Sequence, residues 1–472
     1  MKTRTKSATI DSSEAIDRLI RDGKEAEAQA ALQSWIALGI ARESLAKVTA
    51  LCRRANLALL GARLLHRLVR PSGKALVAAT DDERAEYAAC LSFLGAVEEA
   101  TTILLALDPN RLPKVRLYRV LALFAEWDYA GAIPLLTEYL AAPTDPYARL
   151  VATINLADAL VNERQDDEAT RILNGLLRDT GLAPYPLLRG RAALISAQHA
   201  IDTARWEDAR RALGEASGIF RNGTSIQGML VRKARGVLEY LTQGHSAVGT
   251  LDAIRRESAA IGYWEGIRDC DRVQALATRD RALFMRLFVG TPYAGFRSRL
   301  AREFGETPAD GEPYVWRFAD PSENPPVLDL ETGTIDGNAV PLKVGQIVHR
   351  LLVGLAADFY RPFRLAALHH YLHPHEHFNP LSSPSRVRDT LKRLRAWLDD
   401  TGFPLDISHR DGEYRLSAHA PCALRLRALT AKDRQSLLAR RLRDRWVTGA
   451  FSARQAGELL QISTRTAQRV LQ

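Results

Sequence analysis

DYAGAIPLLTEYL (128–140) carries apolar residues at three- and four-residue spacing, with the small Ala132 ahead of aliphatic pairs. That period belongs to an amphipathic helix. Three other stretches read the same way: AVEEATTILLAL (96–107), DDEATRILNGLL (166–177) and RWEDARRALGEAS (205–217). In each, an alanine ahead of aliphatic residues falls at a matching place, and Ala100, Ala132, Ala169 and Ala209 follow at steps of 32, 37 and 40 residues. Each follows another amphipathic segment, such as YARLVATINLADALVNER (147–164). Working outward, the chain from 12 to 304 reads as short helices in antiparallel pairs, with almost no alternating β pattern to interrupt them.

On these segments the region resembles the tetratricopeptide repeat (TPR), in which a small residue lets two helices approach closely. The resemblance implies a mainly α fold, an α-solenoid of stacked pairs whose concave groove takes a peptide, a protein or a second copy of the chain. A homodimer is expected on that basis. A purely structural arm is the other reading of the same helices. The array shows no catalytic constellation: GxxxxGK[ST], GxSxG and HExxH are all missing from the sequence. We therefore expect no enzyme activity and no cofactor.

The chain of 472 residues is long enough for two to four domains, and 46% hydrophobic with 25% charged residues is globular composition. It contains no uncharged apolar run of membrane-spanning length. The start, MKTRTKSATIDSSE, lacks the apolar core of a secretory signal, and residues 1–11 are expected to be flexible. Cys52, Cys90, Cys270 and Cys422 are far apart and form no CxxC, which fits a cytoplasmic protein with no membrane partner. The formal charge is +10, and from Val327 onward 22 Lys+Arg face 14 Asp+Glu. The excess therefore sits in the last third and suggests a polyanion as partner.

Pro, Gly and acidic residues crowd 305–326, read as a linker. Beyond it, 327–418 changes character. VLDLETGTIDGNAVPL (327–342) reads as hairpin strands, followed by helices over 344–358, 361–374 (opened by Pro362) and 385–402 (capped by Ser385, ended by Gly402). PLDISHRDGEYRLSA (404–418) is a second hairpin with Asp411-Gly412 at its turn. LDLETGTIDGNAVPL, RVRDTLKRLRAWL and DGEYRL in this order resemble the α+β winged-helix output domain of OmpR/PhoB-type response regulators, although no receiver domain precedes them. In the 385–402 helix, Val387, Leu391, Leu394 and Leu398 form one buried stripe. Arg386, Arg388, Lys392, Arg393 and Arg395 occupy the other faces and suit double-stranded DNA. The resemblance puts this helix in the major groove and the hairpin, with His409 and Arg410, on the neighbouring backbone.

His369, His370, His373, His375 and His377 cluster before that helix. His369 and His373 are spaced to chelate a metal, but a tolerant surface loop explains such a cluster as well, and no metal is expected. Residues 419–472 read as a basic helix over 429–450 and then FSARQAGELLQISTRTAQRVLQ (451–472). This last stretch resembles a DeoR-type helix-turn-helix, with Gln461 where the turn usually has Gly. It offers Thr464, Arg465, Thr466, Gln468 and Arg469 to DNA. The whole chain thus reads as a sequence-specific transcriptional regulator. The alternative is a TPR-type adaptor whose basic C-terminal region is a secondary docking surface.

Overall fold

The structure is a computed structural model that describes residues 4–71, 77–142, 145–220, 226–318, 324–336, 338–339, 342–373, 376–410, 412–428, 451–460 and 464–471. Up to Phe304, the described residues form helices joined by turns. Six antiparallel pairs come first: α1 (Arg4–Arg21) with α2 (Glu25–Ala37), α3 (Leu45–Arg54) with α4 (Ala58–Val69), and α5 (Asp81–Phe93) with α6 (Val97–Leu105). Then follow α7 (Lys114–Ala125) with α8 (Tyr129–Ala141), α9 (Pro146–Asn162) with α10 (Asp166–Arg178), and α11 (Pro186–Asp202) with α12 (Trp206–Ile219). The array ends in α13 (Ile226–Gln243), α14 (Val248–Ile261), α15 (Trp264–Thr278), α16 (Arg281–Val289) and α17 (Ala294–Phe304). Helix α1 begins at Arg4, inside the stretch expected to be flexible.

One turn recurs through the array and explains why the pairs stack alike. Gly23, Asn56, Gly95, Trp127, Arg164, Ala204 and Gly262 all have positive φ, between 55° and 90°. The next residue in each case donates its N–H to the carbonyl five positions back, at 2.7–3.0 Å, as in Leu57 to Cys52 and Arg205 to Ala200. This is a Schellman closure, and it satisfies the last carbonyls of the first helix while aiming the chain into the second. The second helix then brings its small residue to the contact: Ala100, Ala132, Ala169 and Ala209 are all 0% exposed. A larger side chain at these sites would push the paired helices apart.

The C-terminal unit contains β1 (Pro313–Arg317), β2 (Val327–Asp329), β3 (Thr334–Ile335), β4 (Asn338–Ala339), α18 (Ile347–Leu355), β5 (Phe363–Arg364), α19 (Leu365–Leu372), α20 (Ser383–Thr401), β6 (Leu405–Arg410), β7 (Glu413–Ala418) and β8 (Ala423–Arg427). One sheet runs β1-β8-β2-β3-β4, with β8 and β2 parallel; the other runs β5-β7-β6. Three sequence expectations change. The supposed linker contains β1, which pairs along its length with β8, so this unit begins near Pro313 and extends past 418 to Arg427. Pro362 precedes a strand rather than opening a helix, because Phe363 and Arg364 pair with Tyr414 and Glu413. Helix α20 starts at Ser383, so Ser385 lies inside it; Ser382 is the N-cap without a side-chain bond, and Gly402 closes it in the left-handed region. Val387, Leu391, Leu394 and Leu398 enter the core shared with Trp316, Leu352, Leu405 and Tyr414.

The C-terminal unit is fastened to the array at two places. On one side Arg268 of α15, 0% exposed, holds Asp358 with two bonds of 2.7 Å, Tyr360 donates to Asp271 at 2.8 Å, and the Phe359 N–H donates to the Gly290 carbonyl at 3.0 Å. On the other side, Phe378 is buried among residues of α4 to α7, its N–H donating to Glu99 at 2.8 Å, while His370 meets Glu98 at 3.2 Å. The region expected as a basic helix over 429–450 lies outside the described residues. After it come α21 (Ala453–Leu460) and α22 (Thr464–Leu471), packed on each other, with the turn at Gln461–Ser463 also outside the described residues. None of the described helices is long and apolar enough to cross a membrane.

Candidate functional site

Two places on the molecule gather functional side chains: the outer face of α20 with the β6–β7 hairpin, and a row of clefts along the first helices of the array's pairs.

On α20 the buried stripe fixes which side chains point outward. Arg386, Arg388, Lys392 and Arg393 are exposed. Arg386 is held by Glu376 at 2.5 Å and lies 3.3 Å from His373, and Lys392 is 3.9 Å from Asp389. Arg388 and Arg393 have no ion pair or side-chain hydrogen bond among the described residues. Arg395 differs from the expectation. It is half-buried, and its Nη2 donates to the Ile407 carbonyl at 2.8 Å, so it ties the helix to β6 rather than facing outward.

The hairpin residues are also engaged. His409 is exposed but stacks on Tyr414 with ring centres 4.4 Å apart. Arg410 reaches the Ala260 carbonyl in α14 at 3.3 Å, and the Arg415 guanidinium lies over the Trp264 ring at 4.6 Å. The array therefore grips the hairpin that the sequence assigns to a ligand. In the terminal pair, Ser452 caps α21, accepting from Gln455 N–H at 3.2 Å while the Gln455 side chain accepts from Ser452 N–H. Ala456, Gly457 and Ala467 are buried, and Thr464, Arg465 and Gln468 are exposed; the side chains of Thr466 and Arg469 lie outside the described ones.

The histidines are divided among different tasks. His369 is 1% exposed, and burial, reinforced by His373 and Arg386, pushes its pKa down to about 4. His370 titrates above its ordinary value because Glu98 accepts its hydrogen bond. The His369 and His373 rings lie 5.1 Å apart, and no group of three or more His, Cys, Asp or Glu among the described residues is arranged to hold a metal.

The clefts run along the first helices of the pairs. A cleft of about 550 Å³ is lined by Asp158 of α9, Arg191 of α11, Lys233 of α13, Asp269 of α15 and Arg299 of α17. Its charges are matched: Lys233 pairs with Asp269, Arg272 with Glu303 at 2.8 Å, and Arg191 with Asp158 at 3.6 Å. Burial raises the Asp158 pKa against the pull of Arg191. Lys233 stays above its ordinary value because Asp269 outweighs the burial that opposes its charge. Trp127, Tyr129, Tyr263 and Glu265 are shared with a second cleft of about 540 Å³. That cleft shares Phe93, Arg361, Arg364 and Glu413 with a third of about 510 Å³ under the C-terminal unit. The three clefts adjoin through these shared residues, with the array on one side and β5 and β7 lining the last two on the other. The sequence offers no sign of this, because Arg361 and Trp264 are about a hundred residues apart and neither sits in a motif.

No family model matches the chain, and no curated protein does. Among solved structures, a Rap protein complexed with competence and sporulation factor matches 63% of this chain and 89% of its own, at 12% identity and a TM-score of 0.43. A likeness at that level says nothing of what this chain binds.

Proposed function

We propose that the chain is a DNA-binding regulator, with the array as the platform for a peptide or protein ligand and the C-terminal unit as the DNA reader. The observation that carries the DNA reading is α20. It follows strand, helix, strand and helix, buries one apolar stripe, and leaves Arg388 and Arg393 exposed and without ion pairs among the described residues, which supports a winged-helix reading. Arginines on an open helix face suit guanine edges and phosphates. Each phosphate neutralised releases counterions, so affinity falls with salt at about −0.9 per contact on logarithmic axes. The test is binding of the full chain to duplexes recovered from a random pool. Recovery of a defined site, with binding weakened about 100-fold or more by Arg388→Ala with Arg393→Ala, is the expected result. Recovery of no sequence, or of a site bound equally by the double variant, sinks the assignment.

A second reading rests on the gripped hairpin. With Arg410 and Arg415 on the array, the C-terminal unit serves as a fixed part of the scaffold and the clefts carry the function as an adaptor. Under this reading a protein partner is recovered by the full chain, duplex DNA is not, and substitutions in the clefts rather than on α20 abolish recovery. The array is also the surface on which a homodimer would form, and light scattering of the full chain reads that directly.

A further inference from the structure

Helix α4 presents two different faces. Ala58, Gly61, Ala62 and Leu65 are buried against its neighbours, while Arg63 and Arg67, one turn apart, are exposed. Positions 63, 67 and 70 follow at steps of four and three, so Arg63, Arg67 and Arg70 share one stripe of the helix. That stripe lies beside the segment that leads into α20. Arg63 donates through Nε to the Pro380 carbonyl at 3.3 Å, and Arg70 lies 3.3 Å from His377. Phe378 is buried in one core with Ala58, Ala62 and Leu65, which fixes this segment against α4. Helix α20 begins just beyond, at Ser383, whose N–H donates to the Asn379 carbonyl at 2.8 Å. The α4 stripe and the exposed start of α20, with Arg386 and Arg388, are thus neighbours joined by one short, anchored connection.

The carboxylates around the stripe are engaged elsewhere. Helices α3 and α4 carry none. Glu99 is shared by Arg70, His377 and the Phe378 N–H, and Glu98 meets His370. Glu376 pairs with Arg386, and Glu83 with Arg42. Glu43, ahead of α3, pairs with neither Arg63 nor Arg67 among the described residues. Arg67 makes no ion pair or side-chain hydrogen bond among them, and the one bond of Arg63 goes to a neutral carbonyl. We propose that the array itself forms part of the DNA interface, with Arg63 and Arg67 gripping the sugar–phosphate backbone beside the base pairs met by α20. A helix packed into the array cannot follow α20 into a groove, and guanidinium groups on such a rim suit phosphate oxygens rather than base edges. The contact therefore adds affinity without sequence preference. It is also one-sided, because α4 adjoins only the N-terminal end of α20. The proposal rests on the chain binding duplex DNA and extends that reading from the C-terminal unit to the array.

Salt titration of the full chain on a random-sequence duplex, by fluorescence anisotropy, tests this without a known operator. Each phosphate contact contributes about 0.9 to the logarithmic salt slope, which is about eightfold in affinity at about 0.1 M salt. Arg67→Gln breaks no bond among the described residues and should lose that much. Arg63→Gln with Arg67→Gln should lose about twice that slope, whereas Arg63→Lys, which keeps the charge, should hold the wild-type slope. On a selected duplex, phosphate ethylation should interfere with wild-type binding at backbone positions to one side of the α20 site, and Arg67→Gln should abolish that interference alone. Thermal unfolding confirms that each variant is folded. A wild-type slope in Arg67→Gln, beside a reduced slope in Arg388→Ala with Arg393→Ala, overturns the array contact and leaves the α20 reading standing. A reduced slope in Arg67→Gln supports the array contact whatever the α20 variant does. No binding of any duplex by the wild type overturns both. Arg63→Lys as weak as Arg63→Gln overturns the part given to Arg63 and assigns that residue to holding Pro380.

Discussion

Ala204, just past the end of α11, has φ 55°, a conformation that a side chain normally resists, and Asn56, Trp127 and Arg164 take it at equivalent turns. The repeat geometry imposes this, since each turn must close with the same bond. Left-handed geometry strains an L-residue by about 1–2 kcal/mol, while glycine adds unfolded-state entropy of about 0.5–1 kcal/mol. Ala204→Gly should therefore stabilise the chain by about 0.5–1 kcal/mol, and Ala212→Gly inside α12 should destabilise it by about 1 kcal/mol. Urea unfolding of the pair reads both signs. His369 makes the second residue-scale prediction. Its folded pKa is about 4 against an ordinary 6.5, so the unfolded chain takes the proton first as pH falls. Its contribution is present above pH 6.5 and is lost on the way down toward pH 4, by about 2 kcal/mol between pH 7.5 and pH 5. Comparing wild type with His369→Leu across that range isolates the effect, and the difference in unfolding free energy between the two should change by that amount, against the wild type at the lower pH. His370 acts in the opposite direction, since its raised pKa favours the folded state as the pH falls.

At the scale of elements, α20 and the β6–β7 hairpin show what a sequence can display and what it hides. The stripe Val387, Leu391, Leu394 and Leu398 is visible because helical period alone determines it, and the β6–β7 pairing is visible because turn chemistry is local, with Gly412 at positive φ and Asp411 outside the described residues. The fates of Arg395 and Arg410 are not, since each is decided by a carbonyl on another element, Ile407 and Ala260. The β1–β8 pairing is hidden for the same reason: its partners are over a hundred residues apart, and the turn-rich sequence around Tyr314 and Trp316 reads as a connector. The junction between α15 and the C-terminal unit yields a prediction at this scale. Arg268→Ala leaves Asp358 buried without its ion-pair partner, held by the N–H groups of Tyr360 and Arg361 and the more distant Arg361 charge, a loss of about 3–5 kcal/mol. Arg268→Met with Asp358→Leu removes both charges and should be less destabilised than the single variant, by urea midpoint. A double variant as unstable as the single one would mean that the ion pair is not what fastens this junction.

For the molecule as a whole, the array and the C-terminal unit share cores, and Phe378 and Tyr360 each cross from one to the other. The four alanines could be read from the sequence because every pair repeats the same contact. The closure of the array onto the C-terminal unit could not, since it rests on single residues such as Arg268 and Asp358 with no repeat behind them. The outer face of α20 keeps Arg388 and Arg393 without ion pairs among the described residues, while the hairpin does not stand free. DNA affinity should therefore be carried mainly by α20. The most direct test is the salt dependence of full-length protein binding to its selected duplex, measured beside Arg388→Ala with Arg393→Ala. The account predicts a steep fall of affinity with salt in the wild type and a slope shallower by about 2 in the double variant, because each arginine neutralises one phosphate. The same slope in both proteins, or no binding that depends on salt, would contradict it.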